Sequence, residues 1–142
     1  MPFIKWDDKY LIGFNIIDDA QKKFVAGVNE LHDAVKANRG NEVFIRFIYW
    51  LADYVSKSLK HEENIMEQHG YPDIDVHISE HEMFTREIND YFFDFETGVK
   101  LHVDEILEFL EKWVKSHLME FDQEFGAFLV AKGVVPRFKK LL

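Results

Sequence analysis

Four long stretches of helix-forming residues, at about 18–37, 41–69, 74–95 and 100–132, fill most of this chain, and each carries one apolar seam. On the first the seam runs Ile17, Gln21, Phe24, Val28, Leu31, Val35, and on the second Phe44, Phe47, Leu51, Tyr54, Ser58, Glu62, Ile65. The third gives His77, His81, Phe84, Ile88, Phe92, Phe95, and the fourth Val103, Leu107, Leu110, Val114, His117, Phe121, Phe125, with Asp122 beside it. Spacings of three and four are the period of a helix that buries one face. The breakers between the stretches are short: Asn38-Arg39-Gly40-Asn41, His69-Gly70-Tyr71-Pro72-Asp73 and Thr97-Gly98, with Gly133 and Pro136 closing the last. Gly suits a helix C-terminus, and Pro cannot continue a helix. Short connections make neighbouring helices antiparallel. The sequence therefore predicts an all-α, up-down-up-down four-helix bundle. Residues 1–16, with Phe3, Trp6, Tyr10 and Phe14, form an N-terminal arm packed on it. A length of 142 residues is expected to make one domain, 1–142, with a sizeable core.

Composition removes several functions. The absence of cysteine excludes disulfides, thiolate metal sites and Cys nucleophiles. Lys and Arg number 17 against 26 Asp and Glu, a formal charge of −9 that repels phosphate backbones and anionic lipid. Nucleic-acid and membrane partners are not expected. The start, Met1-Pro2-Phe3-Ile4-Lys5-Trp6, lacks the regions of a signal peptide, and no apolar run nears the roughly 18 residues that span a bilayer. A cytoplasmic location is expected. Lys22-Lys23 and Arg137-Phe138-Lys139-Lys140 read as short solvated basic runs, the second able to dock a partner.

Every seam is interrupted by polar residues at matching depth. Gln21 lies early on the first helix, Ser58 and Glu62 late on the second, His77 and His81 early on the third, and His117 and Asp122 past the middle of the fourth. In an antiparallel bundle these positions converge toward one end of the core. An uncompensated buried carboxylate costs several kcal/mol even after relaxation. Two carboxylates and three imidazoles at one level call for a cation. His77 and His81, at i and i+4, share one helical face. His117 and Asp122, at i and i+5, lie about 140° apart on a regular helix, so Asp122 must reach sideways. Imidazole with carboxylate suits iron, manganese or zinc. The metal candidates are thus His77, His81, His117, Asp122 and Glu62. The metal-free alternative is a polar network of protonated histidines and the two acids.

These residues also carry a resemblance. Trp6 with Ile17-Asp18-Asp19-Ala20-Gln21-Lys22-Lys23-Phe24, then Glu62-Glu63-Asn64-Ile65-Met66 before Gly70-Tyr71-Pro72, resemble the first two helices of bacterial hemerythrins. His77-Ile78-Ser79-Glu80-His81-Glu82-Met83-Phe84 and Trp113-Val114-Lys115-Ser116-His117-Leu118 followed by Asp122 resemble that family's third and fourth. The resemblance implies two non-haem irons, one held by histidines matching His77, His81 and His117, both bridged by carboxylates matching Glu62 and Asp122. It implies dioxygen at the other iron, whose two histidines fall here on Gln21 and Ser58. Neither replaces an imidazole well, so one iron is expected and two are the alternative. His61, about 60° around the helix from Ser58, would need a local bulge to join the site. His32, His69 and His102 are expected in solvent.

The sequence reading is a hemerythrin-like, non-haem iron protein, not an enzyme. It would bind, sense or store oxygen or iron, with dioxygen or another small diatomic as partner. The competing reading is a metal-poor or metal-free structural or interaction module that keeps this fold and docks a protein through its aromatic arm or its C-terminal tail.

Overall fold

The computed structural model describes residues 3–134, so Pro136 and the basic run 137–140 lie outside the described residues. Helix α1 spans Asn15–Lys36, α2 Gly40–His69 and α3 Ile74–Glu96. The fourth rod is continuous but not uniform: α4 (Val103–Trp113) passes through a π-helical segment (Val114–Phe121) into α5 (Asp122–Ala131). Among the described residues there are no strands, and α1 packs on α2 and α4 while α2 packs on α3. This is the four-helix bundle that the seams and short turns predict. No helix among the described residues is long and apolar enough to cross a membrane.

Local chemistry sets the ends. Gly70 takes the left-handed conformation at φ 68°, and Tyr71 N–H bonds to Met66 C=O (3.0 Å) while Gly70 N–H bonds to Glu67 C=O (3.2 Å). That pair of bonds closes α2 as a Schellman turn, and Pro72 then prevents extension. The Lys132 ammonium caps the remaining carbonyl of His69.

The arm is fixed by polar ties as well as by aromatic packing. Asn29 brackets Ile4, accepting from its N–H at 2.6 Å and donating to its C=O at 2.8 Å. Asp18, buried on α1, accepts from the N–H groups of Ile12 (2.7 Å) and Gly13 (3.0 Å). α1 begins at Asn15, three residues before the start predicted at about 18.

Two apolar clusters fill the interior. The larger contains Phe24, Leu51, Tyr54, Leu59, Phe84, Val114 and Leu118, and the smaller contains Ile12, Ile17, Met66, Tyr71, Phe125 and Leu129. On α1 and α2 the polar interruption falls at the change of cluster: Gln21 between Ile17 and Phe24, Glu62 between Leu59 and Met66. The polar layer is therefore sandwiched within the core, with an apolar plug beyond it, and does not lie at an open end.

Several sequence expectations are corrected. Ser58 and Ile65 are only half-buried, because Leu59 and Met66 take the core side of α2. His32 is not solvated but half-buried, stacked beneath Phe3 at 4.1 Å. His69 is likewise half-buried, near Phe14, whereas His102 is exposed as expected. Phe92 and Phe95 pack on Tyr49, while Phe93 turns outward.

Candidate metal centre

All five side chains selected from the sequence meet in the polar layer. Glu62, His77, His81, His117 and Asp122 are each at most 2% exposed, and one donor atom from each lies within 4.8 Å of every other. α2 supplies Glu62, one turn of α3 supplies His77 and His81, and the fourth rod supplies the remaining two.

The distortion of that rod is what aligns its pair. The Asp122 N–H bonds to the His117 carbonyl, five residues back, which is the π-helical pattern. The wider turn removes the angular offset of a regular helix, and His117 Nε2 comes within 3.1 Å of Asp122 Oδ1. The bulge thus lies on the fourth rod, whereas α2 is regular through His61, which is exposed and takes no part in the layer.

All three imidazoles present Nε2 to a common point. His77 Nε2 is 2.6 Å from Glu62 Oε1 and 3.1 Å from Asp122 Oδ1. His81 Nε2 is 3.1 Å from Glu62 Oε1 and 3.0 Å from His117 Nε2. Two ring nitrogens facing each other cannot both carry a proton along that line, so at least one offers a lone pair. Asp122 Oδ1 touches two Nε2 atoms yet lacks the alignment of a hydrogen bond with either. Contacts that converge without hydrogen-bond direction fit ligands arranged around an ion. With metal–nitrogen bonds of roughly 2.1 Å, donors at right angles lie about 3 Å apart, close to the four separations of 3.0–3.1 Å. The 2.6 Å His77–Glu62 contact is that of a direct hydrogen bond, and His117 Nε2 stands 3.7 Å from Glu62 Oε1.

The electrostatics are those of a tightly coupled cluster. Burial alone would raise the Glu62 carboxyl, but the imidazoles around it, His117 at 3.7 Å with His77 and His81 in hydrogen-bond contact, outweigh burial and hold the group well below the carboxylate range. Burial disfavours charged His77, yet the carboxylates of Asp122 and Glu62 raise it to about 9. His81 is likewise raised to about 9 against its burial, by Glu62 and Glu63. Metal-free protein would hold these rings as imidazolium, and an entering cation must displace those protons.

Aromatic rings wall the layer. Trp113 stacks on His117 with centroids 4.0 Å apart, Phe121 lies near-parallel to the same ring at 5.9 Å, and Phe125 and Tyr71 approach His77.

The chain matches the family model described as the hemerythrin HHE cation binding domain over residues 12–129. It belongs to the hemerythrin family. A bacteriohemerythrin of Pseudomonas aeruginosa is 30% identical over 122 residues, covering 86% of this chain and 78% of that protein. A bacteriohemerythrin of Stenotrophomonas maltophilia is 29% identical, covering 89% and 81%. A hemerythrin crystal structure carrying a point substitution superposes with a TM-score of 0.76 at 26% identity, covering 89% of this chain and 97% of that one.

Within this hemerythrin domain the position beside the layer on α1 is closed by hydrogen bonds. Tyr54 O–H donates to Gln21 Oε1 at 2.7 Å, and Gln21 Nε2 donates to Asp122 Oδ2 at 2.7 Å. Burial, with the nearby charges of Asp122 and Glu62, raises the Tyr54 hydroxyl well above its ordinary value. The phenol therefore stays protonated and donates, which fixes the Gln21 amide with its N–H toward Asp122. Tyr54 stands on the α2 seam in the sequence, where its hydroxyl has no evident task. The available signal was that a buried phenol needs a partner, and Gln21 is the polar residue of the facing seam. Glu63 was also passed over; its carboxylate lies 2.7 Å from His81 Nδ1.

Proposed function

We propose that this hemerythrin-family chain holds one non-haem iron ion through His77, His81, His117, Glu62 and Asp122, and uses it to bind, sense or store oxygen or iron. The observation that carries the reading is the convergence of three Nε2 atoms and two carboxylate oxygens within 4.8 Å in a buried layer. A bound ferrous ion would supply a redox-active Lewis acid with room for one small ligand beyond five protein donors. Two carboxylates would neutralise its charge, and the aromatic walls would keep water from it. The bonded chain Tyr54–Gln21–Asp122 supports one ion rather than two, because it engages Asp122 Oδ2 and leaves Oδ1 for the cluster. The family match, the cation-binding description it bears and the imidazole-rich donor set favour a binding role with dioxygen or another small diatomic over enzymatic turnover.

A second reading draws on the same distances. His77 and Glu62 at 2.6 Å can also stand as an imidazolium–carboxylate pair, which would leave a metal-free bundle serving as an interaction module. Iron content and melting temperature, measured before and after chelation, separate the two. A bound ion stabilises the fold by mass action. About one iron per chain, a melting temperature lowered by chelation and its recovery on adding iron(II) support the metal reading. An unchanged melt with no metal detected supports the module.

A further inference from the structure

The three imidazoles differ on their outer side. His77 Nδ1 and His117 Nδ1 are buried without a hydrogen-bond partner, whereas His81 Nδ1 lies 2.7 Å from Glu63 Oε2. Glu63 follows Glu62 on α2, so one helical turn carries an acid facing the cluster and an acid behind one of its ligands. Its carboxylate is 12% exposed and lies 3.3 Å from the Lys60 ammonium. Glu63 and His81 both line a surface cleft of about 340 Å³ between α2 and α3, whose wall includes Lys60, Glu82 and Arg86. The imidazole itself stays 2% exposed. Glu63 is thus the side chain that stands between this ligand and solvent.

We propose that Glu63 is a positioning residue for the metal centre, acting through His81; the inference rests on the metal reading above. A carboxylate can only accept, so the neutral His81 ring must carry its proton on Nδ1, which leaves the Nε2 lone pair facing the cluster. The same bond fixes the ring's rotation and makes Nε2 a stronger donor than a ring without an outer partner. Lys60 holds the carboxylate from the solvent side. His81 is consequently the anchoring ligand of the three, and the centre is asymmetric.

Cobalt(II) titration of the metal-free full chain, followed by visible absorption and alongside melting of each metal-free protein, tests this. Glu63→Ala is expected to weaken cobalt binding about 10- to 100-fold, the usual loss when an outer carboxylate is removed from a ligating histidine. Glu63→Gln keeps an acceptor without the charge and is expected to lose about threefold or more. Glu82→Ala, an exposed acid on the same cleft, is expected to bind like the native chain. A Glu63→Ala protein that binds cobalt as the native chain does, even if its metal-free form melts lower, overturns the positioning role. Should that variant not fold, native affinity in Glu63→Gln overturns it instead. A native chain that takes up neither cobalt(II) nor iron(II) overturns the metal reading itself, and this proposal with it.

Discussion

The main-chain N–H of Asp122 bonds to the carbonyl of His117, and this one π-helical contact places their side chains 3.1 Å apart. On a regular helix, residues five apart diverge by about 140°. A π turn amounts to one extra residue in an α-helix and persists most often where function requires it. Here the requirement is visible: it points an imidazole and a carboxylate of one helix at one spot.

Deleting Glu120, an exposed residue inside the segment, should convert it to regular α-helix while leaving the histidine and the aspartate one α turn apart. The shortened chain is expected to keep its ion, with slower hydrogen exchange in this segment. Inserting an alanine after Glu120 should instead push Asp122 off the layer and abolish tight binding. Metal content of the two variants, with mass-resolved hydrogen exchange, checks both outcomes.

His77→Ala removes a donor and also strips Glu62 of its 2.6 Å partner. Breaking a buried charge pair by deleting one member costs about 3–5 kcal/mol. Metal-free His77→Ala is expected to lose stability in that range in urea, and iron content should fall from about one per chain to near zero. A variant that keeps its iron would exclude His77 from the ligand set.

Stability of the metal-free protein should depend on pH in a defined direction. His77 and His81 are raised to about 9 in the fold from an ordinary 6.5, so the stability they contribute is fully present below about pH 6.5 and is lost as pH rises through about 9. Glu62 is depressed, so its contribution is present above its ordinary 4.5 and is lost as the solution is made more acidic. A plateau between about pH 4.5 and 6.5 is expected for the metal-free chain. Iron(II) competes with the histidine protons and should bind more tightly as pH rises toward 9. Urea unfolding of the metal-free chain at pH 6 and pH 9.5 checks the first point; greater stability at the higher pH would contradict it.

Tyr54→Phe leaves Gln21 Oε1 buried and without its donor. An unsatisfied buried acceptor costs about 1–3 kcal/mol. The variant is expected to lose that much stability in urea and to loosen the amide that holds Asp122 Oδ2. Denaturation curves of the metal-free variant measure the first effect, and a weaker iron(II) affinity would report the second.

Much of this was legible in the residues, for identifiable reasons. Period three-and-four seams and breakers such as Gly70-Tyr71-Pro72 depend on local chemistry, so they located the helices to within a few residues. Glu62, His77, His81, His117 and Asp122 were found because polar groups stand out on apolar faces. The angular misfit of His117 and Asp122 on a regular helix implies a sideways reach of Asp122, whereas the structure removes the misfit with a π turn, because hydrogen-bond register is settled by packing against the other helices, which no local pattern records. The same limit hid the Tyr54–Gln21 bond, since it joins residues 33 positions apart through the register of α1 against α2. Ser58 read as a seam residue because Leu59 beside it fits the spacing equally well, and the structure gives the core to Leu59. Glu63 looked like a surface acid next to a buried one, and only the alignment of α2 with α3 reveals its partner.

Anomalous scattering at the iron edge, from crystals of protein produced in iron-rich medium and never exposed to chelator, tests the central claim most directly. One peak is expected, roughly 2 Å from the Nε2 atoms of His77, His81 and His117. Two peaks of comparable height, or none with these side chains still gathered, would contradict a single-ion centre.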